Sequence, residues 1–182
     1  GGHKSRIVSS FDGFIQSGLG SSGAAAVSLV GAINRRLNLG FSKEKILEEA
    51  WRRETDFGIY TGRQDQAAAV YGGINYFSFT DKVSPTSITV PNVDEFLSWV
   101  HLFYVGGGEK NYKDQKSFQT LTRKRLRSLD ILKYLAALAL PLFMRGDYQQ
   151  IGELMDIAWH YKKESNAVST EDIDAIYSRA KE

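Results

Sequence analysis

The chain has no cysteine, which excludes disulfides, thiolate metal sites and cysteine nucleophiles. Histidine is sparse as well. His3, His101 and His160 lie far apart, so a transition-metal site built on imidazoles is not expected. An excess of one charge is also missing: 23 basic and 21 acidic residues leave a net charge of +2, and the charges alternate instead of forming blocks. Such a chain offers no bulk field for nucleic acid. The Arg123-Lys124-Arg125-Arg127 cluster lacks interleaved aromatics and reads as a solvated helix face. The longest apolar run, Leu135-Ala136-Ala137-Leu138-Ala139-Leu140-Pro141-Leu142-Phe143-Met144, is too short to span a bilayer and follows no secretion pattern. Cytoplasm is the default expectation. With 42% hydrophobic residues over 182 positions, the chain can fill one substantial core or two small ones and does not read as disordered.

What the chain does have is a dense glycine and serine segment, Ser17-Gly18-Leu19-Gly20-Ser21-Ser22-Gly23-Ala24-Ala25-Ala26. Glycines let backbone approach an anion at positive φ, and the first N–H groups of a following helix have no intrahelical acceptor. Together with the helix dipole they favour negative charge. Val27, Leu29, Val30, Ile33 and Leu37 then supply an apolar stripe at helical spacing, predicting a packed helix behind the cradle. Gly18-x-Gly20-x-x-Gly23 also satisfies a dinucleotide fingerprint, but that reading needs an acidic residue ending a second strand about 20 residues on. That distance falls near Glu44, inside Ser42-Lys43-Glu44-Lys45-Ile46-Leu47-Glu48-Glu49-Ala50-Trp51, which reads as a helix capped by Ser42. A Walker A loop fails too, since no Gly-Lys-Ser/Thr follows.

Elsewhere, strand-like stretches are interleaved among longer helices without a regular strand–helix alternation, an α+β pattern. Residues 76–79 and 87–90 are aromatic or β-branched and bounded by Asp81, Ser84-Pro85 and Pro91, and residues 97–105 continue the pattern up to Gly106-Gly107-Gly108. From about residue 117 to 144 the spacing turns helical with an interruption at Pro141, and Gly146-Asp147 reads as a stop followed by a new N-cap. The Trp159 and Tyr161 pair reads as core packing.

The glycine segment resembles the ATP loop of the GHMP small-molecule kinases, Gly-Leu-Gly-Ser-Ser followed by small residues opening a helix. Gly62-Arg63-Gln64-Asp65-Gln66-Ala67-Ala68-Ala69-Val70-Tyr71-Gly72-Gly73-Ile74-Asn75 resembles that family's second signature, and its Arg-Gln-Asp-Gln wording is most similar to the heptose 7-phosphate kinase branch, with the fucokinase-like branch next. Gly146-Asp147, Trp159-His160-Tyr161-Lys162-Lys163 and the helix over 169–182 are similar to that branch's C-terminal helices. The resemblance implies a two-lobed GHMP fold: an incomplete lobe like ribosomal S5 domain 2 over residues 1–95, then part of a ferredoxin-like, mainly helical lobe over 96–182. The family's first and third motifs do not occur, and Gly1-Gly2-His3 does not read as a native terminus, so an internal portion of a kinase is expected.

The resemblance further implies ATP-dependent phosphorylation of a heptose 7-phosphate or related sugar, with magnesium. Gly18, Leu19, Gly20, Ser21, Ser22, Gly23 and Ala24 would bind ATP; Ser21 or Ser22 together with Glu54 would bind Mg2+. Asp65 would orient or deprotonate the acceptor hydroxyl, or stabilise the transition state, and Arg63, Gln64 and Gly73 would contact substrate. Each residue keeps a plainer reading. Glu54 sits beside Arg52 and Arg53 and suits a solvated ion pair, Asp65 suits an N-cap of the short helix over 66–71, Ser22 suits a cap of its own helix, and Arg63 suits either a bidentate phosphate contact or solvent. Lys110 stands where relatives often have arginine. A GHMP-fold piece binding nucleotide or sugar without turnover is the alternative, and a dinucleotide-binding domain is a distant third. Absent lobe-closing strands would expose apolar edges and favour a homodimer; neither nucleic acid nor membrane is an expected partner.

Overall fold

The computed structural model describes residues 8, 10, 18–58, 62–104, 122–165 and 169–181. The predicted features at Gly1-Gly2-His3, Ser17, Gly106-Gly107-Gly108 and Lys110 lie outside them. The architecture is α+β, with seven helices and one two-stranded hairpin among the described residues. The chain divides into two compact units, residues 1–72 with 79–83, and residues 73–78 with 84–182.

In the first unit, local chemistry sets each helix boundary. Gly20, at φ 72°, turns the backbone into α1 (Ser21–Leu37), which closes at Asn38 in the left-handed region. The Oδ1 of Asn34 then accepts from the Phe41 N–H at 2.9 Å, pinning the loop to the next helix. As the spacing predicts, Ser42 caps α2 (Lys43–Asp56), its Oγ accepting from the Lys45 N–H at 3.2 Å. After Gly62 comes α3 (Gln64–Tyr71), which ends at Gly72 with φ 65°. The three helices pack on one another, and Leu47, Ala50 and Ala67 are buried among them. The apolar stripe expected to bury α1 does not do so: Leu29, Ile33 and Leu37 are exposed. The packed side instead runs through Gly23, where α3 comes so close that only a residue without Cβ fits, and this rotates 29, 33 and 37 away.

The hairpin pairs β1 (Asn75–Phe79) with β2 (Val83–Ser87). Its base is held by the Ile88 N–H donating to the Ile74 carbonyl at 2.9 Å. The strand expected over 87–90 therefore lies earlier and contains Pro85. A two-stranded ribbon gives each strand an unpaired edge, where the missing proline N–H does no harm.

In the second unit, residues 97–99 are not strand. They close α4 (Val93–Trp99), because the Asn92 Oδ1 accepts from the Asp94 and Glu95 N–H groups at 3.0 and 3.2 Å and both acids favour a helix start. Extended backbone resumes at Val100, and residues 100–104 join no strand among the described residues. The predicted interruption at Pro141 is also absent: α5 (Arg123–Arg145) runs through it and stops at Gly146, φ 75°. The packing of Leu135 and Leu142 outweighs the one ladder bond proline removes. Asp147 starts α6 (Tyr148–Ser165), its Oδ1 accepting from the Gln150 N–H at 3.3 Å. Leu142, Tyr148 and Ile151 form the core, with Phe96, Phe143 and Leu154 packed around them.

The last helix, α7 (Glu171–Ala180), is tied to α6 by carboxylates. Asp156 accepts from the Tyr177 hydroxyl at 2.5 Å and from Lys181 at 2.7 Å, and Asp174 accepts from Lys163 and Ser169, both at 2.9 Å. Lys181 and then Tyr177 hold the Asp156 carboxyl below its ordinary value near 3.8, and Lys163 and then Ser169 do the same for Asp174. Both groups thus bind protons less readily folded than unfolded, so their contribution is present above the ordinary value and disappears as pH falls through the lowered ones. Acidification through and below the ordinary carboxylate range is expected to loosen α7. Fluorescence of Trp159, whose ring lies 5.9 Å from that of Tyr177, reads the event, and Asp156→Asn should weaken its pH dependence. A flat signal until global unfolding would contradict the clamp.

Candidate phosphate and cation site

Three elements of the first unit converge at the head of α1. The turn residues Gly18 and Gly20 both have positive φ, 77° and 72°, and the exposed Leu19 lies between them. The first helical bond runs from the Ala24 N–H to the Gly20 carbonyl at 3.0 Å, leaving the N–H groups of Ser21, Ser22 and Gly23 without an intrahelical acceptor. Its N-cap residue, Gly20, makes no side-chain cap bond, and its first turn carries no acidic residue. Ser22 is therefore not the cap that its plain reading offered.

Ser22 turns instead to α2. Its Oγ donates to Oε1 of Glu54 at 2.7 Å. Of the two serines left open by the sequence, this is the one bonded to the carboxylate. Glu54 lies one turn beyond Ala50, on the face that also buries Leu47, and is only 5% exposed. Its neighbours do not neutralise it. Arg52 bonds Glu49 at 2.7 Å, Arg53 reaches the same carboxylate at 3.9 Å, and Lys45 reaches it at 2.9 Å. Glu49, gripped by Lys45 and Arg52, is held down at about 2. Among the described residues no cation pairs with Glu54, so the solvated ion pair belongs to Glu49. A buried carboxylate is costly unless hydrogen-bonded, paired or coordinated to a metal.

On α3, Asp65 is the second helical residue, behind Arg63 at the N-cap position, which makes no side-chain cap bond. Asp65 is thus not the N-cap. Its side chain lies against the glycine turn: a Cβ added at Gly20 would meet the Asp65 Cγ at 3.1 Å, and one at Gly23 would meet the Asp65 Cβ at 2.9 Å. Gln66 follows, almost fully buried, and donates from Nε2 to Oε2 of Glu54. Both oxygens of Glu54 are thereby held, one by a hydroxyl and one by an amide. Gln66 closes the Arg-Gln-Asp-Gln wording of the second signature but was assigned no role there. The available signal was helical: with Ala67 it is the buried residue of a short helix.

The remaining expected residues are placed differently. The Arg63 guanidinium donates to Glu48 at 2.8 Å and to the Thr80 carbonyl at 3.0 Å, and stacks over Trp51 at 5.6 Å. Its bonds among the described residues run to protein groups. Gln64 is exposed at the start of α3. Gly73, at φ 66°, belongs to the second unit, at the turn into β1. Glu44 stands in the first turn of α2, so no strand presents a ribose-binding acid there.

Among the described residues no cluster of three or more acidic, histidine or cysteine side chains could hold a metal. Magnesium does not require one, since it takes one or two carboxylates with a hydroxyl, waters and substrate phosphates. A serine hydroxyl against a buried, un-neutralised carboxylate fits that donor chemistry.

Residues 2–73 match the GHMP kinases N terminal domain. The chain is also 28% identical over 172 residues to D-glycero-alpha-D-manno-heptose 7-phosphate kinase of Campylobacter jejuni, covering 90% of this chain and 51% of that protein. Over 167 residues it is 26% identical to homoserine kinase of Sulfolobus acidocaldarius, covering 83% of this chain and 53% of that protein. The chain spans about half the length of these curated relatives. The matches support the GHMP family, and the domain match contains the whole convergence just described. No helix among the described residues is long and apolar enough to cross a membrane.

The close approach at Gly23 makes a direct prediction. Gly23→Ala should cost about 1–3 kcal/mol in denaturant unfolding through overpacking against Asp65. Gly31→Ala, in the same helix with nothing within 4 Å, should instead stabilise by about 0.5–1 kcal/mol. Equal effects at the two positions would contradict the packing.

Proposed function

We propose that this chain forms part of an ATP- and magnesium-dependent kinase that phosphorylates a hydroxyl of a sugar or sugar phosphate, with heptose 7-phosphate or a related sugar as acceptor. The observation that carries the reading is the Ser22–Glu54 pair beside the uncapped N-terminus of α1. An anion cradle and a hard-oxygen cation site in contact suit a nucleotide phosphate and its metal. The heptose kinase relative supports the substrate class.

In this reading Gly18, Leu19, Gly20, Ser21, Ser22, Gly23 and Ala24 hold the ATP phosphates through backbone N–H groups and hydroxyls. Ser22 and Glu54, with Ser21 as a second hydroxyl, hold magnesium, which when bound neutralises charge on the phosphates. Asp65 takes the acceptor hydroxyl's proton, orients that hydroxyl, or stabilises the transition state, a role that its position against the glycine turn supports. Gln64 and Gly73 contact substrate. Arg63, held by Glu48 and the Thr80 carbonyl, does so through its remaining N–H groups. Residues 1–95 and 96–182 are portions of the N-terminal and C-terminal lobes, the protein is cytoplasmic, and it pairs as a homodimer.

The half-length match favours a second reading, nucleotide or sugar binding without turnover by this chain alone. Release of ADP with heptose 7-phosphate, fucose, a hexose panel and homoserine separates the two. The expected outcome is magnesium-dependent turnover with a sugar acceptor. It should fall by about 10²–10⁴-fold in Asp65→Asn, while magnesium-dependent ATP binding persists. Binding without turnover supports the second reading, turnover confined to homoserine overturns the acceptor class, and absence of nucleotide binding overturns the proposal.

A further inference from the structure

Gln66 is among the largest fully buried side chains of the described residues, at 1% exposure, yet it is polar and no step of the proposed transfer uses it. Its Nε2 donates to the Oε2 of Glu54, the oxygen that Ser22 does not take. This orientation of the amide follows from chemistry, since a carboxylate only accepts. The other end of the same amide is unsatisfied: Oε1 is buried without a hydrogen-bond partner among the described residues. A buried carbonyl with no donor costs stability. Packing alone would therefore favour an apolar side chain of the same length.

We infer that Gln66 is a positioning residue for the cation site, orienting Glu54 without neutralising it and linking that carboxylate to Asp65. The inference rests on the kinase reading above. Lysine or arginine would grip the carboxylate harder but would occupy the charge that a divalent cation must meet. A second carboxylate would repel. A neutral amide and a neutral hydroxyl hold both oxygens of Glu54 and leave its negative charge available. Because Gln66 follows Asp65 in the first turn of α3, the same bond fixes how α3 presents Asp65 to Gly20 and Gly23. Residues holding a metal ligand in place commonly change metal affinity by about 10–100-fold when removed.

The test compares the wild-type chain with Gln66→Met, which keeps length and volume but loses the donor. Calorimetric titration with a non-hydrolysable ATP analogue, in chelator and then in magnesium, separates nucleotide from cation affinity. Electron paramagnetic resonance of free Mn2+ with the analogue present reads cation binding directly. The expected result is a cation affinity about 10–100-fold weaker, an unchanged affinity for the cation-free analogue, and an unfolding midpoint equal to or above wild type. Equal cation affinity in both proteins overturns the inference. So does a parallel loss of cation-free affinity, which would mark Gln66 as structural only. Should circular dichroism show Gln66→Met unfolded, Gln66→Leu, of similar volume and without a donor, is read by the same criteria. A wild-type chain that binds the analogue with no response to cation overturns the kinase reading itself. Cation dependence in wild type that both variants retain overturns only the role of Gln66.

Discussion

The first unit is organised around one carboxylate that has been taken out of water and left un-neutralised. Glu54 lies 5% exposed on α2, its oxygens held by a hydroxyl from α1 and an amide from α3. Burying a charge without a counter-charge is among the least favourable things a fold can do. Here it requires three helices to meet at one point with donors already aimed. The nearby arginines could have relieved the cost, but Arg52 and Arg53 point to Glu49 on the solvent side of the same helix. Under the proposed kinase reading, Glu54 would receive its positive partner from outside as magnesium.

The glycines gain their meaning from the same convergence. At Gly20 the left-handed φ turns the chain into α1, and at Gly23 the absence of a side chain lets α3 approach until Asp65 touches the turn. A helix N-terminus without cap or acid, a carboxylate behind it and a second carboxylate in front make three centres of charge preference within one small volume. An anion fits the first and a cation the second. In the proposed kinase reading the third would serve the acceptor hydroxyl, as phosphoryl transfer requires.

The second unit rests on different physics. Its core is aromatic and aliphatic, with Phe96 tilted against Tyr148 at 5.5 Å and edge-on to Phe143 at 6.0 Å. Its last helix is fastened at the surface by two aspartates and their cationic and hydroxyl partners. Burial there pushes the Tyr148 hydroxyl above its ordinary range, with Glu95 adding to the effect.

The sequence by itself determined the features that depend on neighbours a few residues away. The glycine turn before α1, the Ser42 cap and the Gly146 stop are all satisfied by bonds within one helical turn, so residue type and spacing suffice to read them. The limit of that reading shows at Asn92, whose equally local cap converts an apparent strand into α4. Pro85 and Pro141 mark another, since their cost depends on whether an edge or a packed helix surrounds them. Only the tertiary structure decided that Leu29, Ile33 and Leu37 stay exposed and that Arg63 grips Glu48. It also decided that Ser22, and not a nearby arginine, meets Glu54, and that Gln66 closes the carboxylate from behind. Those contacts join positions 32 and 12 residues apart. The burial of a polar side chain is set by what folds over it, which no local pattern records.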